Sequence, residues 1–381
     1  MINRKPNIGI VGGGIGGVAA AAALRQVGID AVVYERSSQL GEVGAGMMLW
    51  PNATRVLQRM ELLPDILERC GSSTHFLVRS SSGAVLMNIA LGEFDVPAIC
   101  IRRSDLLTVL LSAFPPEDIR LGHTLSRLEQ SKDEVRIIFE NGFEARHDVL
   151  IAADGIRSSV RSALFGSSNP IYRGYTVWRG VASYEGDAIA SGANSETWGA
   201  GKRFGILRVG PEKFTWYAAA NVPADHIDGP RGRKRELLAA FSGWHEPIPE
   251  LIAATTDEEI RKNGAYDVAP LDRWGKGRVM LLGDAAHACT PNLGQGGGMA
   301  LEDAAVLAKC IANESSAVVA LRRYEDLRLQ RTRHIQHRSR LMGAIGQWEN
   351  RVFVAGRRVV TGLLPASLFE YNLRRVYSYE V

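Results

Sequence analysis

Three glycines near the start of the sequence have the spacing of a phosphate-binding turn. Gly12, Gly14 and Gly17 follow a short β-branched run and precede an alanine-rich run that favours a helix. In such a turn the first glycine permits the tight bend, the second lets the backbone approach a pyrophosphate, and the third lets helix and strand pack closely. The N–H groups that open the helix would then bind the phosphates.

An acidic residue stands where such a turn needs one. Glu35 ends the next strand-like run, 18 residues after Gly17, and its carboxylate can accept hydrogen bonds from ribose hydroxyls. Together, the strand, glycine turn, helix, second strand and distal acid predict a dinucleotide site. The pattern by itself does not distinguish FAD from NAD.

The hydrophobic pattern assigns these residues to one βαβ unit, with a strand at 7–11, a helix at 18–27 that Gly28 closes, and a strand at 29–34. Short alternating runs after this unit predict antiparallel strands at 75–79, 85–88, 125–131 and 135–139, and a second antiparallel block over 172–222. Apolar runs at 148–153 and 278–282 predict buried parallel strands. Helices are predicted at 299–312 and from 317 to about 346. We therefore expect a discontinuous nucleotide-binding domain.

Two further segments indicate which dinucleotide binds. Segment 152–161 reads AADGIRSSVR and contains Asp154, and segment 282–287 reads LGDAAH and contains Asp284. Pro291 and a glycine run at 294–298 follow the second segment. In order and separation, these segments and the first turn resemble the three fingerprints of the class A FAD-dependent aromatic hydroxylases, such as salicylate hydroxylase and urate hydroxylase.

The resemblance extends from Ile8 to about Tyr324 and implies an α/β protein with the p-hydroxybenzoate hydroxylase fold. This fold has a Rossmann-like FAD-binding domain of the glutathione-reductase type, an antiparallel β-sheet substrate domain and C-terminal helices. We expect the FAD-binding domain to comprise residues 1–75, 100–171 and 270–320, and the substrate domain to comprise residues 76–99 and 172–269. Residues 321–381 would form the C-terminal helical region.

The resemblance also implies roles for single residues. Asp284 would reach the ribityl chain of FAD, and Asp154 would help to shape the flavin site and the nicotinamide route. Arg103 would contact FAD, Met48 would lie beside the flavin, and Leu125 would touch the adenosine half. A helix that begins in the glycine run would stabilise the negative charge of the reduced flavin. The predicted cofactor-binding residues are Gly12, Gly14, Ile15, Gly16, Gly17, Glu35, Arg36, Met48, Arg103, Leu125, Asp154, Asp284, Pro291, Gly294, Gln295, Gly296, Gly297 and Gly298.

On the substrate side the resemblance makes Arg203 and Tyr217 the catalytic candidates. Arg203 matches an arginine that lies over the substrate pocket of urate hydroxylases, where it would bind an anionic substrate or hold its ionised form. The tyrosine of that pocket aligns with Thr215, and Tyr217 lies two residues further on, on the same strand face. This departure argues against a urate-type substrate.

Other residues that could suggest chemistry have structural explanations. Trp178 lies within a predicted strand and is expected in the core, and His287 is expected to be a turn histidine with its hydrogen bonds satisfied. The other histidines lack metal-ligand spacing, so no metal site is expected. The four cysteines are far apart and contain no CxxC pair, so we expect free thiols.

The resemblance implies a monooxygenase that uses NADH or NADPH, O2 and FAD. It would hydroxylate or epoxidise an aromatic or heteroaromatic small molecule through a flavin C4a-hydroperoxide. A second glycine fingerprint of similar quality is absent from the sequence, so NAD(P)H is expected to bind transiently at the surface. Two alternatives stay open: an FAD-dependent reductase or dehydrogenase of a prenyl-type or lipophilic substrate, and, more remotely, a non-enzymatic prenyl-ligand binding protein.

Composition narrows the class of protein. The chain is 46% hydrophobic and 23% charged, as in water-soluble globular proteins, and its apolar runs are shorter than a membrane span. We therefore expect a cytoplasmic protein. From Arg322 onward there are 12 arginines and 5 acidic residues, which predicts a solvated basic face and leaves room for weak contact with a membrane surface. Nucleic acid is not expected as a partner, and both monomer and homodimer remain open.

Overall fold

The computed structural model describes residues 5–41, 45–91, 94–166, 169–229 and 232–381. The strands within these ranges, in chain order, are β1 (Ile8–Val11), β2 (Ala31–Tyr34), β3 (Gly46–Leu49), β4 (Gly71–Ser72), β5 (His75–Ser80), β6 (Val85–Ala90), β7 (Ile99–Arg102), β8 (Ile119–Arg120), β9 (Leu125–Gln130), β10 (Val135–Phe139), β11 (Glu144–His147), β12 (Val149–Ala152), β13 (Ile171–Ser183), β14 (Ala193–Trp198), β15 (Lys202–Arg208), β16 (Lys213–Ala220), β17 (Arg261–Asp267), β18 (Gly275–Lys276) and β19 (Val279–Leu281). The α-helices are α1 (Ile15–Gln26), α2 (Pro51–Arg59), α3 (Leu63–Leu67), α4 (Arg103–Ser112), α5 (Ser159–Phe165), α6 (Arg233–Ala240), α7 (Ile248–Ala254), α8 (Asp284–His287), α9 (Gly296–Asn313), α10 (Ala317–Gly346), α11 (Arg351–Leu363) and α12 (Ala366–Tyr377).

A six-stranded sheet in the order β18-β19-β12-β1-β2-β8 forms the first half of the fold. Its strands are parallel except for the β18–β19 pair at one edge. Helix α1 packs against α9, and all the alanines from Ala19 to Ala23 are buried there. Small side chains allow the two helices to approach each other closely. The predicted βαβ unit and the later return to parallel strands are confirmed.

A seven-stranded sheet in the order β17-β13-β16-β15-β14-β5-β6 forms the second half. One of its faces packs on α6 and α7 around Phe204, Trp216 and Trp178, which places Trp178 in the core as predicted. Strand β3 contacts β15 and β16, and so the sheet also borders the first half. Two small antiparallel sheets, β11-β10-β9 and β3-β7-β4, complete the sheet structure of the described ranges.

The structure differs from the expected antiparallel arrangement at one strand pair. Strands β5 and β14 are parallel, with His75 opposite Ala193. Hairpins fix the direction of strands that are close in sequence, but β5 and β14 are separated by more than a hundred residues. Their relative direction is therefore decided by how the two halves pack, which the local pattern does not encode.

Three helices form the C-terminal part of the chain. Helix α10 has the predicted bounds, and α12 packs against β6 and α2. All four cysteines are free, as predicted. Within the described residues, none of the helices has the length and apolar character that crossing a membrane requires.

Candidate active site

The predicted phosphate-binding turn closes tightly on itself. Gly12 has a φ of 111°, and a Cβ at this position would overlap the carbonyl oxygen of Ala153. A Cβ at Gly17 would overlap the carbonyl oxygen of Gly12, so neither position admits a side chain. A Cβ at Gly14, in contrast, would meet no atom within 4 Å. The turn is therefore closed where strand and helix meet and open in front of α1, which begins at Ile15.

The Glu35 carboxylate lies beside this turn. Its Oε2 accepts a hydrogen bond of 2.7 Å from the N–H of Gly13, and its Oε1 accepts one of 2.9 Å from the N–H of Ser37. Arg36 is exposed next to it. The bond to Gly13 puts the acid at the edge of the turn, where the ribose of a dinucleotide follows the phosphates.

A buried carboxylate holds the second acidic fingerprint in place. Oδ2 of Asp303 accepts hydrogen bonds from the N–H of Gly283 (3.0 Å) and from Nε2 of His287 (2.6 Å), and Oδ1 accepts one from Nε of Arg328 (2.6 Å). Burial alone would raise the pKa of Asp303, but His287 and Arg328 outweigh burial and lower this pKa. Gly283 has a φ of 62°, and Asp284 is left exposed after it. His287 is thus a turn histidine, bonded through Nε2, whose buried Nδ1 has no hydrogen-bond partner among the described residues.

The two acidic fingerprints meet at one arginine. Arg161 donates to the carbonyl oxygen of Ala285 at 2.9 Å, and both Asp154 and Asp284 act on its charge. Oδ2 of Asp154 accepts hydrogen bonds of 3.2 Å from α5, whereas its Oδ1 is buried with no hydrogen-bond partner in the described part of the chain. The fold therefore brings together two acids that are 130 residues apart in sequence.

The glycine run before α9 forms an open helix N-terminus. Gly294 has a φ of 59° and follows the single 3-10 turn Pro291–Leu293, and α9 begins at Gly296. A Cβ at Gly296 would meet no atom within 4 Å, and the first N–H groups of a helix have no intrahelical acceptors. The Gln295 side chain is engaged elsewhere, because its Oε1 accepts a hydrogen bond of 3.0 Å from Asn52. Only the main chain of Gln295 is therefore available to a ligand.

Met47, and not Met48, presents its side chain to this helix. A Cβ at Gly297 would overlap Cε of Met47. Met48 points to the opposite side of β3 and is buried in a core cluster with Cys100 and Val209. Side chains alternate along a strand, so only the main chain of Met48 can serve the role that the resemblance gave it. The methionine side chain that lies against the start of α9 is that of Met47.

Two other predicted residues lie at the starts of elements. Arg103 begins α4, is exposed, and lies close enough to Arg179 for its charge to lower the pKa of Arg179. The neighbouring Arg102 forms two hydrogen bonds to Asp105, of 2.7 and 2.9 Å. Leu125 begins β9 and packs against the core of the six-stranded sheet.

These features fit FAD. The open position at Gly14, the open N-terminus at Gly296 and the orphaned Oδ1 of Asp154 all leave hydrogen-bonding capacity for a ligand, and Asp284 is exposed. Two helix N-termini also offer positive electrostatic potential. That of α1 suits a pyrophosphate, and that of α9 suits the negative charge of a reduced flavin.

Two hydrogen-bonded contacts, called attachments below, join the seven-stranded sheet to the part of the first half where FAD is expected to bind. We call this part the cofactor region. At the first, the N–H of Gly46 donates to Oγ1 of Thr215 at 2.9 Å. At the second, Oδ1 of Asn292, just before the glycine run, accepts hydrogen bonds from the Tyr175 hydroxyl (3.1 Å) and from Nη2 of Arg203 (2.7 Å). The sheet face between the first and second attachments therefore covers the cofactor region.

Arg203 is buried and neutralised by the protein itself. Besides Asn292, it donates to Oε1 of Gln347 at 2.8 Å and to Oε1 of Glu196 at 3.1 Å. Burial alone would lower the pKa of Arg203, but Glu196, Tyr175 and Tyr217 together outweigh burial and raise it. The sequence suggested that Arg203 meets an anionic substrate. In the structure, a carboxylate from the adjacent strand β14 already balances its charge.

Tyr217 belongs to the same cluster. Its ring packs against Gly205, which lies opposite it on β15, and its hydroxyl interacts with Glu196. Burial is the main reason why the pKa of the Tyr217 hydroxyl lies well above its usual value, and Glu196 raises it further. The two catalytic candidates are thus brought together by Glu196, and we call these three residues the Arg203–Glu196–Tyr217 cluster.

The sequence did not reveal several residues of this site. Glu196, Asn292, Gln347 and Tyr175 hydrogen-bond to members of the cluster or to each other, yet none lies in a recognised motif. The only available signal was the polar content of β14, a strand that is almost completely buried. Arg179 follows Trp178 in β13, and the sequence analysis predicted no role for it.

One group of potential metal ligands lies outside this region. Ligand atoms of His226, Asp228 and Glu236 fall within 4.8 Å of one another. Asp228, however, already accepts hydrogen bonds from Arg233 (2.6 Å) and Lys262 (2.7 Å). Two cations thus neutralise the carboxylate that a metal ion would need.

Comparison with known proteins agrees with this geometry. The family described as "FAD binding domain" matches residues 5–339. The chain is 37% identical over 370 residues to the aurachin C monooxygenase/isomerase of Stigmatella aurantiaca, with 96% of each chain covered. It is 35% identical over 354 residues to the 3-amino-4-hydroxybenzoate 2-monooxygenase of Streptomyces cremeus, with 89% of this chain and 87% of the other covered.

The fold also matches a solved structure. Klebsiella pneumoniae HpxO complexed with FAD and uric acid superimposes with a TM-score of 0.92 at 28% identity, covering 98% of this chain and 96% of HpxO. The expected p-hydroxybenzoate hydroxylase fold is confirmed. The chain therefore belongs to the FAD-binding family that contains the class A flavoprotein aromatic hydroxylases, and it is an FAD-dependent monooxygenase with NAD(P)H as co-substrate.

Proposed function

We propose that this enzyme transfers one oxygen atom from O2 to a small aromatic or heteroaromatic molecule held between FAD and the seven-stranded sheet. The observation that carries the proposal is the pair of attachments at Gly46–Thr215 and Tyr175–Asn292, which hold this sheet face over the cofactor region. The compounds that name two similar proteins, 3-amino-4-hydroxybenzoate and uric acid, are small rings of this kind.

The cofactor would be held mainly by main-chain groups. The turn at Gly12, Gly14 and Gly17, with the first N–H groups of α1, would bind the pyrophosphate, and Glu35 would bind the ribose. Asp284 would bind the ribityl chain. The remaining predicted contacts, through Ile15, Gly16, Arg36, Met48, Arg103, Leu125, Asp154, Pro291, Gly294, Gln295, Gly296, Gly297 and Gly298, belong to the same proposal.

FAD, when bound, supplies the electron transfer from NAD(P)H and the activation of O2. The protein's own contribution is to position the substrate and to exclude water. The N-terminus of α9 would stabilise negative charge at the flavin. On the opposite wall, the Arg203–Glu196–Tyr217 cluster would present a rigid polar surface, because Gln347 and Asn292 fix the guanidinium of Arg203.

The experiment that tests this proposal measures oxygen transfer and electron transfer in the same reaction. Purified holoenzyme is supplied with NADH or NADPH, 18O2 and a panel of hydroxybenzoates, aminohydroxybenzoates, purines and quinolones, while NAD(P)H oxidation, peroxide and product mass are recorded. We expect at least one ring compound to stimulate NAD(P)H oxidation and to gain one labelled oxygen. A product that is reduced or oxidised without label would favour a reductase or dehydrogenase instead. Binding of a prenyl compound without turnover would favour a binding protein.

We also propose weak contact with an anionic membrane surface through α11. This helix exposes Val352, Phe353, Val359, Val360 and Leu363 along one side and carries the exposed Arg351 and Arg358. Vesicles with anionic lipid should co-sediment the enzyme better than neutral vesicles. Replacement of Val359, Val360 and Leu363 by serine should abolish the difference. A dimer that dissociates upon the same triple substitution would show that a second copy covers this side.

A further inference from the structure

Arg179 is half-buried and differs from the buried arginines of the described chain. Arg161, Arg203, Arg328 and Arg357 each donate hydrogen bonds to carbonyl or carboxylate oxygens. Arg179 makes neither a hydrogen bond nor an ion pair with any described residue, although five N–H donors are available on a guanidinium. The fold satisfies four interior arginines and leaves this one without a partner.

The side chain of Arg179 lies deep in the protein but borders a space. Burial lowers the pKa of its guanidinium to about 10, and the charge of Arg103 contributes to the shift, so Arg179 remains protonated at neutral pH. Part of the side chain nevertheless stays accessible to solvent. It therefore faces an opening and is not enclosed in packed side chains.

The register of the sheet places this opening over the cofactor region. Arg179 lies opposite Tyr217, two residue pairs along the ladder from the pair Val181–Thr215, and Thr215 forms the first attachment. In the other direction along β13, on the same face, lies Tyr175, which forms the second attachment. Arg179 thus stands between the two attachments, where the proposed function places the substrate.

A largely desolvated cation without a partner is costly, because it loses most of its hydration and gains no compensating charge. Arg203, two strands away on the same sheet, shows the usual solution, since Glu196 neutralises it. The strands beside Arg179 supply no such carboxylate: the nearby groups that act on its charge are Arg103, Tyr175 and Tyr217. The anionic group of a ligand would supply the missing negative charge.

We propose that Arg179 binds the anionic group of the substrate, a carboxylate or an ionised ring oxygen, and that the substrate of this enzyme is therefore an organic acid. This inference rests on the proposed function and specifies its substrate class. Arg203 is in turn a positioning residue that holds the sheet to the flavin loops. Arg179 is the specificity-determining arginine.

The test compares acids with matched amides. The flavin absorbance of the holoenzyme is titrated with salicylate and salicylamide, and with 3-amino-4-hydroxybenzoate and its amide. We expect at least one acid to bind roughly 10- to 100-fold more tightly than its amide, the range that one charged hydrogen-bonded pair supplies. Arg179→Met should remove this preference, and Arg179→Lys should retain part of it. Arg102→Met is the control and should keep the preference, because Arg102 already pairs with Asp105.

A second readout does not depend on activity. Thermal unfolding of the apoprotein should show that Arg179→Met melts at the same temperature as wild type or higher, since the substitution removes an unpaired and largely desolvated charge. A structural role for Arg179 would lower the melting temperature instead.

Three results would overturn the inference: acids that bind wild type no better than their amides, a preference that survives in Arg179→Met, or a loss of FAD affinity with the preference intact. Failure of the proposed function is recognised separately, by the absence of labelled product with any substrate.

Discussion

The glycine turn at 12–17 and the sheet face around Arg203 both present hydrogen-bonding groups to a ligand, but they are built differently. In the turn, the groups are main-chain N–H groups of consecutive residues, and glycines make room for them. On the sheet face, Arg203 depends on Glu196, Asn292 and Gln347, the last of which is 144 residues away. A local motif can specify the turn, whereas the sheet face exists only after distant segments have packed.

The largest expected change in the free energy of unfolding comes from a substitution on the sheet face. Arg203→Met should lower the free energy of unfolding by about 3–5 kcal/mol, because Glu196 would remain buried without its cation. Urea denaturation of the apoprotein measures this change. The double variant Arg203→Met/Glu196→Gln should recover part of the loss. A single variant as stable as wild type would mean that the buried pair does not hold the sheet face together.

Gly14 and Gly17 of the turn allow a matched comparison, because the same alanine substitution meets different surroundings at each. Gly17→Ala should destabilise the apoprotein by about 1–3 kcal/mol, because the new methyl group overlaps the carbonyl oxygen of Gly12. Gly14→Ala should leave the melting temperature unchanged, since its Cβ meets open space. It should nevertheless weaken FAD binding by roughly tenfold, as expected when a main-chain contact with phosphate is lost. Equal FAD affinity in Gly14→Ala and wild type would place the pyrophosphate elsewhere.

The first half of the fold also contains a contact between distant side chains, and its contribution to stability should change only at acid pH. His147 bonds to the Tyr34 hydroxyl at 3.0 Å and to Asn7 at 2.9 Å, and burial lowers its pKa from 6.5 to about 4. The unfolded chain therefore binds a proton between these pH values while the folded protein does not. Stability should be complete above pH 6.5 and should fall by up to about 3 kcal/mol as the pH approaches 4.

His147→Gln is the control for this pH dependence. Glutamine keeps a donor and an acceptor but does not titrate, so the slope of unfolding free energy against pH between 6.5 and 4 should become flatter. An unchanged slope in His147→Gln would assign the acid sensitivity to other groups.

Much of the first half could be predicted because its signals are local. The conformation is predicted there by glycines at fixed spacing, by an alanine-rich run and by continuous apolar runs. Each of these patterns lies within a short stretch of sequence. The bounds of α10 and the parallel strands β12 and β19 were found in this way. The motif predicts that the loop around Met48 lies beside the flavin, but alternation along β3 decides that the side chain of Met47, and not that of Met48, faces α9.

The sequence by itself determined the family, the cofactor and the positions of the glycine turns and acidic fingerprints, because these depend on backbone conformation and on residues that are neighbours in the chain. The tertiary structure decided the parallel pairing of β5 with β14, the neutralisation of Arg203 by Glu196, and the isolation of Arg179. The physical reason is that the state of a buried charge depends on which other charges lie within a few ångströms of it. Here those neighbours come from separate strands and loops, and only packing brings them together.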